Sequence, residues 1–168
     1  MSGNTLGFLL SVIHLFEESD LSVWLFGGWA EDLWRISPGR IHNDIDFLYP
    51  ATTFEYLDRF ISRTNDFQEI AAKRFSHKRA ILYQDVMFEF ILVQGNNEGY
   101  FTDFFSGRHR LAWPVDVFDN RASFPEYNIP IASVQALTIY RQHHGRIEEA
   151  YQDFLTTHWV WKETDQKI

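Results

Sequence analysis

Apolar residues recur at helical spacing between Thr5 and Glu18. Leu6, Leu9, Leu10, Ile13 and Phe16 fall on one stripe there, which predicts an amphipathic helix. The short apolar run Val23-Trp24-Leu25-Phe26 reads as a buried strand ended by Gly27-Gly28, with a short helix opening at Trp29. Ser37-Pro38-Gly39 marks a turn, and Ile45 to Leu48 a strand stopped by Pro50. Thr52 or Thr53 can cap a helix to about Ser62, with Phe54, Leu57, Phe60 and Ile61 inward. Further strands are predicted at Phe67–Ala71, Lys78–Tyr83 and Val86–Val93, the last two joined through Gln84-Asp85 as a hairpin. From Gln94 to Tyr127 the pattern is irregular and predicts loops and short strands, with Val115–Phe118 the best strand candidate. Ser133 stands as N-cap of a helix over Val134–His143. After Gly145, Ile147–His158 forms a second helix, with Ile147, Ala150, Tyr151 and Phe154 inward. A helix, then mixed strands and helices, then two closing helices make an α/β or α+β domain.

Length and composition narrow the class. A chain of 168 residues fits one domain, and no repeat, low-complexity tract or linker divides it. Cysteine is absent, which excludes disulfide frameworks, thiolate metal sites and cysteine nucleophiles. Glu17, Glu18 and Asp20 interrupt the first apolar stretch, and no basic segment precedes it. It is therefore neither a signal peptide nor a membrane span, and a cytoplasmic protein is expected. A net charge of −8 suits a nucleic-acid backbone poorly and favours small cationic partners.

Three features carry candidate chemistry. A strand that ends in Gly27-Gly28 and opens a helix can cradle phosphate, because the backbone approaches closely and unpaired N–H groups face the anion. Asp44 and Asp46, two apart on a strand, project from one face, where their repulsion calls for a cation. Oxygen ligands without cysteine suit Mg²⁺ shared with substrate phosphates. Glu89 is the only charged residue in Val86–Val93, so it should be paired or metal-bound, the alternative being a strand-edge glutamate that points into solvent. Arg79 or another cation is the structural alternative to a metal. Asp85 reads as a turn residue.

Gly27-Gly28, then Asp44-Ile45-Asp46, then one carboxylate in a later apolar strand, resembles the signature of the polymerase-beta-like nucleotidyltransferase superfamily. The finer string, Gly-Gly-Trp-Ala with Asp32, Arg40, His42 and Asp44-Ile45-Asp46, is similar to the small antibiotic nucleotidyltransferases of the lincosamide and aminoglycoside 2''-adenylyltransferase types. The likeness spans about Leu6 to Val93. It is weaker over Ile129–Ser133 and at Asp153-Phe154-Leu155, and absent between Gln94 and Tyr127. It implies a nucleotidyltransferase fold with residues 1–94 as catalytic core and 95–168 as irregular segment and closing helices. It implies transfer of a nucleoside monophosphate from a triphosphate, ATP above all, to a hydroxyl of a small molecule, an aminoglycoside or lincosamide. Asp44 and Asp46 would hold Mg²⁺, with two ions in all. Glu89 would share the second ion and accept the hydroxyl proton. Gly27 and Gly28 would meet the nucleotide, and Arg40 and His42 would reach triphosphate oxygens or orient the aspartates, the alternative for each being a surface or hydrogen-bonded residue. Such enzymes usually carry Asp where this chain has Glu89, and the extra methylene moves the carboxylate by roughly 1 Å. A catalytically inactive binding module on the same fold is the alternative.

The remaining residues suggest less. Trp24 and Trp29 read as core. Lys73, Arg74, Lys78 and Arg79 form a basic cluster that either neutralises nucleotide or coats a hairpin face. The histidines lack zinc spacing, and His143-His144 reads as a cap or surface pair. Acids and aromatics mixed through Glu98–Glu126 are expected to line a pocket for a cationic acceptor.

Overall fold

A computed structural model describes residues 3–37, 41–123 and 128–166, the side chains of the last helix as far as residue 157. It opens with α1 (Leu6–Glu18), whose N-cap Thr5 accepts a hydrogen bond from the Phe8 N–H at 3.2 Å. β1 (Trp24–Phe26) turns directly into α2 (Gly27–Leu33), and β2 (Asp44–Pro50) leads to α3 (Glu55–Arg63). Next come β3 (Gln68–Glu69), a 3-10 turn at Ala71–Lys73, and the hairpin of β4 (Lys78–Tyr83) and β5 (Val86–Asn96). β6 (Gly99–Phe104), β7 (His109–Ala112), β8 (Asn120–Ser123) and β9 (Asn128–Ile131) precede α4 (Val134–Gln166).

The strands form one mixed sheet in the order β3-β4-β5-β2-β1-β9-β8, with β6 on the far end of β5 and β7 on β6. β2 runs parallel to β5, and β1 parallel to β9; the other pairs are antiparallel. Alternation along the central strands gives each face its character. Ile45, Phe47, Phe88 and Phe90 are fully buried. Phe16 of α1 packs edge-on against Phe47 and Phe88, 5.5 and 6.1 Å between centroids, and tilted against Phe90 at 5.9 Å. The opposite face of the same strands carries Asp44, Asp46 and Glu89, and α4 lies over that side. Burying the aromatic face supplies the hydrophobic stabilisation, and the other face is left for chemistry.

The hairpin forms as the pattern predicts, with Gln84 and Asp85 at φ 49° and 64°, the left-handed backbone of a tight two-residue turn. Ser133 caps α4 through a 3.1 Å bond from the Ala136 N–H. Other expectations are corrected. The helix after β1 starts at Gly27, not Trp29. The predicted strand Phe67–Ala71 shrinks to two residues. Thr53 accepts from the Glu55 N–H, but the residue at the cap position of α3 is Phe54. On α1 the buried stripe includes Val12, while Leu6 is 38% exposed. Val115–Phe118 is a turn; the short strands expected between Gln94 and Tyr127 are instead β6, β7 and β8.

The two closing helices are one. Gly145 lies inside α4 and does not break it. A helical glycine costs only about 1 kcal/mol relative to alanine. Ile147 and Ala150, both buried, continue the inward face beyond it, and burying them offsets that cost.

Candidate active site

The sheet register builds the site. Parallel pairing of β2 with β5 sets Asp46 beside Glu89, and antiparallel pairing of β1 with β2 sets Phe26 beside Asp46. Asp44, Asp46 and Glu89 therefore meet on one face, each offering a carboxylate oxygen within 4.8 Å of the others. Gly27 follows Phe26 at φ +64°, and a Cβ there would stand 2.2 Å from Asp46 Oδ2. Only glycine permits both the turn and the close approach. The pair Gly27-Gly28 thus ends β1 against the carboxylates, with Gly27 lining the cleft.

Crowding shows in the proton affinities. Burial, then the charges of Asp44 and Glu89, push the Asp46 carboxyl well above the usual carboxylate range. Burial and Glu89 also raise Asp44. Burial would raise Glu89 as well, but Lys78 and Lys73 outweigh it and hold Glu89 below its ordinary value. Lys73 Nζ donates to Glu89 Oε1 at 2.9 Å, and Lys78 Nζ stands 3.0 Å from Oε2. The basic cluster is thereby split. Arg79 and Arg74 turn instead to Asp58, and Arg74 also to Glu69. Glu89 does have a cationic partner, but it is a pair of lysines rather than Arg79.

The three carboxylates fit a hard divalent cation. Their donors are all oxygen, they lie close enough to share one ion or bridge two, and Asp46 gains most from a neighbouring positive charge.

A network behind the site fixes the start of β2. Asn4 Nδ2 donates to the backbone oxygens of His42 at 2.7 Å and Asp44 at 3.2 Å, while Trp29 Nε1 donates to Asn4 Oδ1 at 3.0 Å. His42 is buried, with Nε2 2.5 Å from Asp32 Oδ2 and its ring 4.4 Å from that of Trp29. His42 thus faces Asp32 and Trp29 and is not among the residues lining the cleft. Trp24 packs on Phe118. Arg40 lies outside the described residues.

The cleft over the carboxylates has a volume of about 390 Å³. Among the described residues of the segment expected to supply acceptor contacts, Phe104 and Phe105 line it. Tyr140, Ile147, Glu148 and Tyr151 of α4 complete the wall. Burial, with Asp46 and Glu89 nearby, pushes the Tyr140 hydroxyl up to about 12. Periodicity marked Ile147 and Tyr151 as inward; nothing local in the sequence marked Asn4, Tyr140 or Glu148 for the site.

Among solved structures, the lincosamide antibiotic adenylyltransferase LnuA, bound to lincomycin, superposes with a TM-score of 0.65 at 18% identity, covering 88% of this chain and 96% of that one. ANT(2'')-Ia, in complex with adenylyl-2''-tobramycin, gives 0.57 at 16% identity, covering 92% and 91%. A search of curated proteins found no match. The fold is that of the nucleotidyltransferases. A family model described as aminoglycoside-2''-adenylyltransferase matches residues 8–155, nearly the whole length, and the chain belongs to that family. It is a nucleotidyltransferase.

Proposed function

We propose that the protein transfers the adenylyl group of ATP, with Mg²⁺, to a hydroxyl of a small antibiotic of the aminoglycoside or lincosamide kind, acting in the cytoplasm. One observation carries this reading: Asp44, Asp46 and Glu89, brought together by strand register, face a cleft of about 390 Å³ floored by Gly27. Family membership and the acceptors named for LnuA and ANT(2'')-Ia support the substrate classes.

Asp44 and Asp46 would hold two Mg²⁺ ions together with Glu89. When bound, the metal supplies positive charge for the triphosphate and its developing negative charge. The chain's own residues do the rest. Gly27, which lines the cleft, and Gly28 after it would present main-chain N–H groups to the terminal phosphates. Glu89, kept ionised by Lys73 and Lys78, takes the proton of the acceptor hydroxyl. The hydroxyl oxygen bonds to the α-phosphorus, and pyrophosphate leaves with the electron pair of the broken P–O bond. Lys73, on the short turn before β4, is 40% exposed at its side chain, which leaves its remaining N–H donors open to pyrophosphate oxygens while it holds Glu89.

Mass spectrometry after incubation with ATP, Mg²⁺ and either tobramycin or lincomycin tests the reading. An acceptor heavier by one adenylyl group is expected, with release of pyrophosphate. Intact ATP beside both unmodified acceptors would count against it.

A further inference from the structure

The cleft has a second chemistry beyond its carboxylates. Phe75, Phe105 and Tyr151 come from the link before β4, the β6–β7 turn and α4, and all three line it. Their rings form one cluster, with centroids 5.1 Å apart for Phe75–Phe105, 5.1 Å for Phe105–Tyr151 and 6.0 Å for Phe75–Tyr151. Phe105 is placed there against its conformational preference. It has a φ of 51°, Ser106 follows at 59° and Gly107 at 86°. Non-glycine residues held in the left-handed region need support from their surroundings, and such residues gather at ligand clamps. Here the support is His77, buried between β4 and the turn. Its Nδ1 accepts the Phe105 N–H at 3.1 Å, and its ring lies 4.5 Å from that of Phe105.

Charge narrows what this wall can hold. Among the described residues four carboxylates line the cleft, but Asp44, Asp46 and Glu89 belong to the metal site and to Lys73 and Lys78. That leaves Glu148, exposed at the rim and three residues before Tyr151 on the same face of α4. Its Oε1 accepts from Gln152 Nε2 at 3.1 Å, which leaves carboxylate lone pairs for a ligand. A polycationic acceptor would find one available carboxylate and two opposing lysines. An acceptor with one ammonium group beside an apolar ring or alkyl body would find a partner for each part.

We propose that Phe75, Phe105, Tyr151 and Glu148 form the acceptor subsite. It takes a hydroxyl compound with a single ammonium group on an apolar body in preference to a polyamine. For the reaction this rests on the adenylyl-transfer reading; the subsite itself is a binding claim and is tested as one. The protein is titrated calorimetrically with Mg²⁺ and a non-hydrolysable ATP analogue, and then with lincomycin, which carries one amine and an alkyl chain, or tobramycin, a polyamine. Lincomycin is expected to bind more tightly. Glu148→Gln should weaken it by about twofold to fivefold, as loss of an exposed charge pair does. Tyr151→Ala should weaken it by about fivefold. Glu148 is exposed, so its variant should keep the wild-type melting temperature; Tyr151→Ala gives up ring packing on Phe75 and Phe105 and should melt somewhat lower, and both variants should keep the analogue affinity. Tighter binding of tobramycin, unchanged lincomycin affinity in both variants, or binding of neither probe while the analogue binds would overturn the proposal. Failure of the analogue alone to bind would instead remove the adenylyl-transfer reading, with the subsite still decided by the lincomycin arm.

Discussion

Glu89 stands between two lysines and two aspartates, and its substitution separates chemistry from structure. In Glu89→Gln, Lys73 and Lys78 lose an anionic partner, while Asp44 and Asp46 lose a repelling one. The lysine side chains are 40% and 22% exposed, so water takes over much of their solvation, and the net change in stability should stay within about 1 kcal/mol. Turnover should fall by about 10²-fold or more, because the amide accepts no proton. Thermal melting beside a turnover assay checks both halves. A loss of several kcal/mol with activity retained would make Glu89 a structural counterion only. His77 gives a prediction in pH. Burial, aided by the charge of Lys78, lowers its pKa from 6.5 to about 3. A base depressed on folding contributes stability that is complete above 6.5 and is lost as the pH falls toward 3. By pH ~5 the loss is roughly 2 kcal/mol. His77→Asn keeps an acceptor for the Phe105 N–H but does not titrate there. Its melting temperature should fall less between pH ~7 and ~5 than that of the wild type; parallel slopes would refute this.

At the scale of elements, two glycines predict opposite effects for the same substitution. Gly145→Ala meets open space inside α4 and should stabilise by about 0.5–1 kcal/mol. Gly27→Ala meets Asp46 Oδ2 and a φ of +64°, so it should cost about 2 kcal/mol or more. Urea denaturation of the two variants measures both, and equal effects would contradict the packing described at Gly27. These positions also show what the sequence could reveal. Gly27-Gly28 was legible because it follows an apolar run and precedes paired aspartates. Gly145 was read as a break because local propensity favours one, whereas buried Ile147 and Ala150 on either side of a helical turn decide otherwise. Short strands were expected in this segment, but β6 and β7 could not be placed individually, because they pair with β5 and each other and alternation is weak: along β6, Tyr100, Thr102 and Asp103 interleave with Phe101 and Phe104.

For the whole molecule, the carboxylate trio could be anticipated from residue type and strand face, since Asp44, Asp46 and Glu89 were marked by repulsion and by an apolar setting. The walls of the cleft could not. They depend on how α4 crosses the sheet, which brings Tyr140 and Glu148 to residues about a hundred positions earlier. Net charge was a poor guide in the same way. The value of −8 describes the surface as a whole, whereas inside the cleft two lysines oppose the acids. Among the described residues no helix is long and apolar enough to cross a membrane. The central claim is that the three carboxylates bind nucleotide through a divalent cation. Titrating ATP into the protein by calorimetry, once with Mg²⁺ and once with EDTA, and repeating both with Asp46→Asn, tests it most directly. The account predicts binding with Mg²⁺ that disappears in EDTA and in the variant, while the variant melts at or above the wild-type temperature because a crowded, buried anion has been removed. Equal ATP affinity with Mg²⁺ and with EDTA would contradict it.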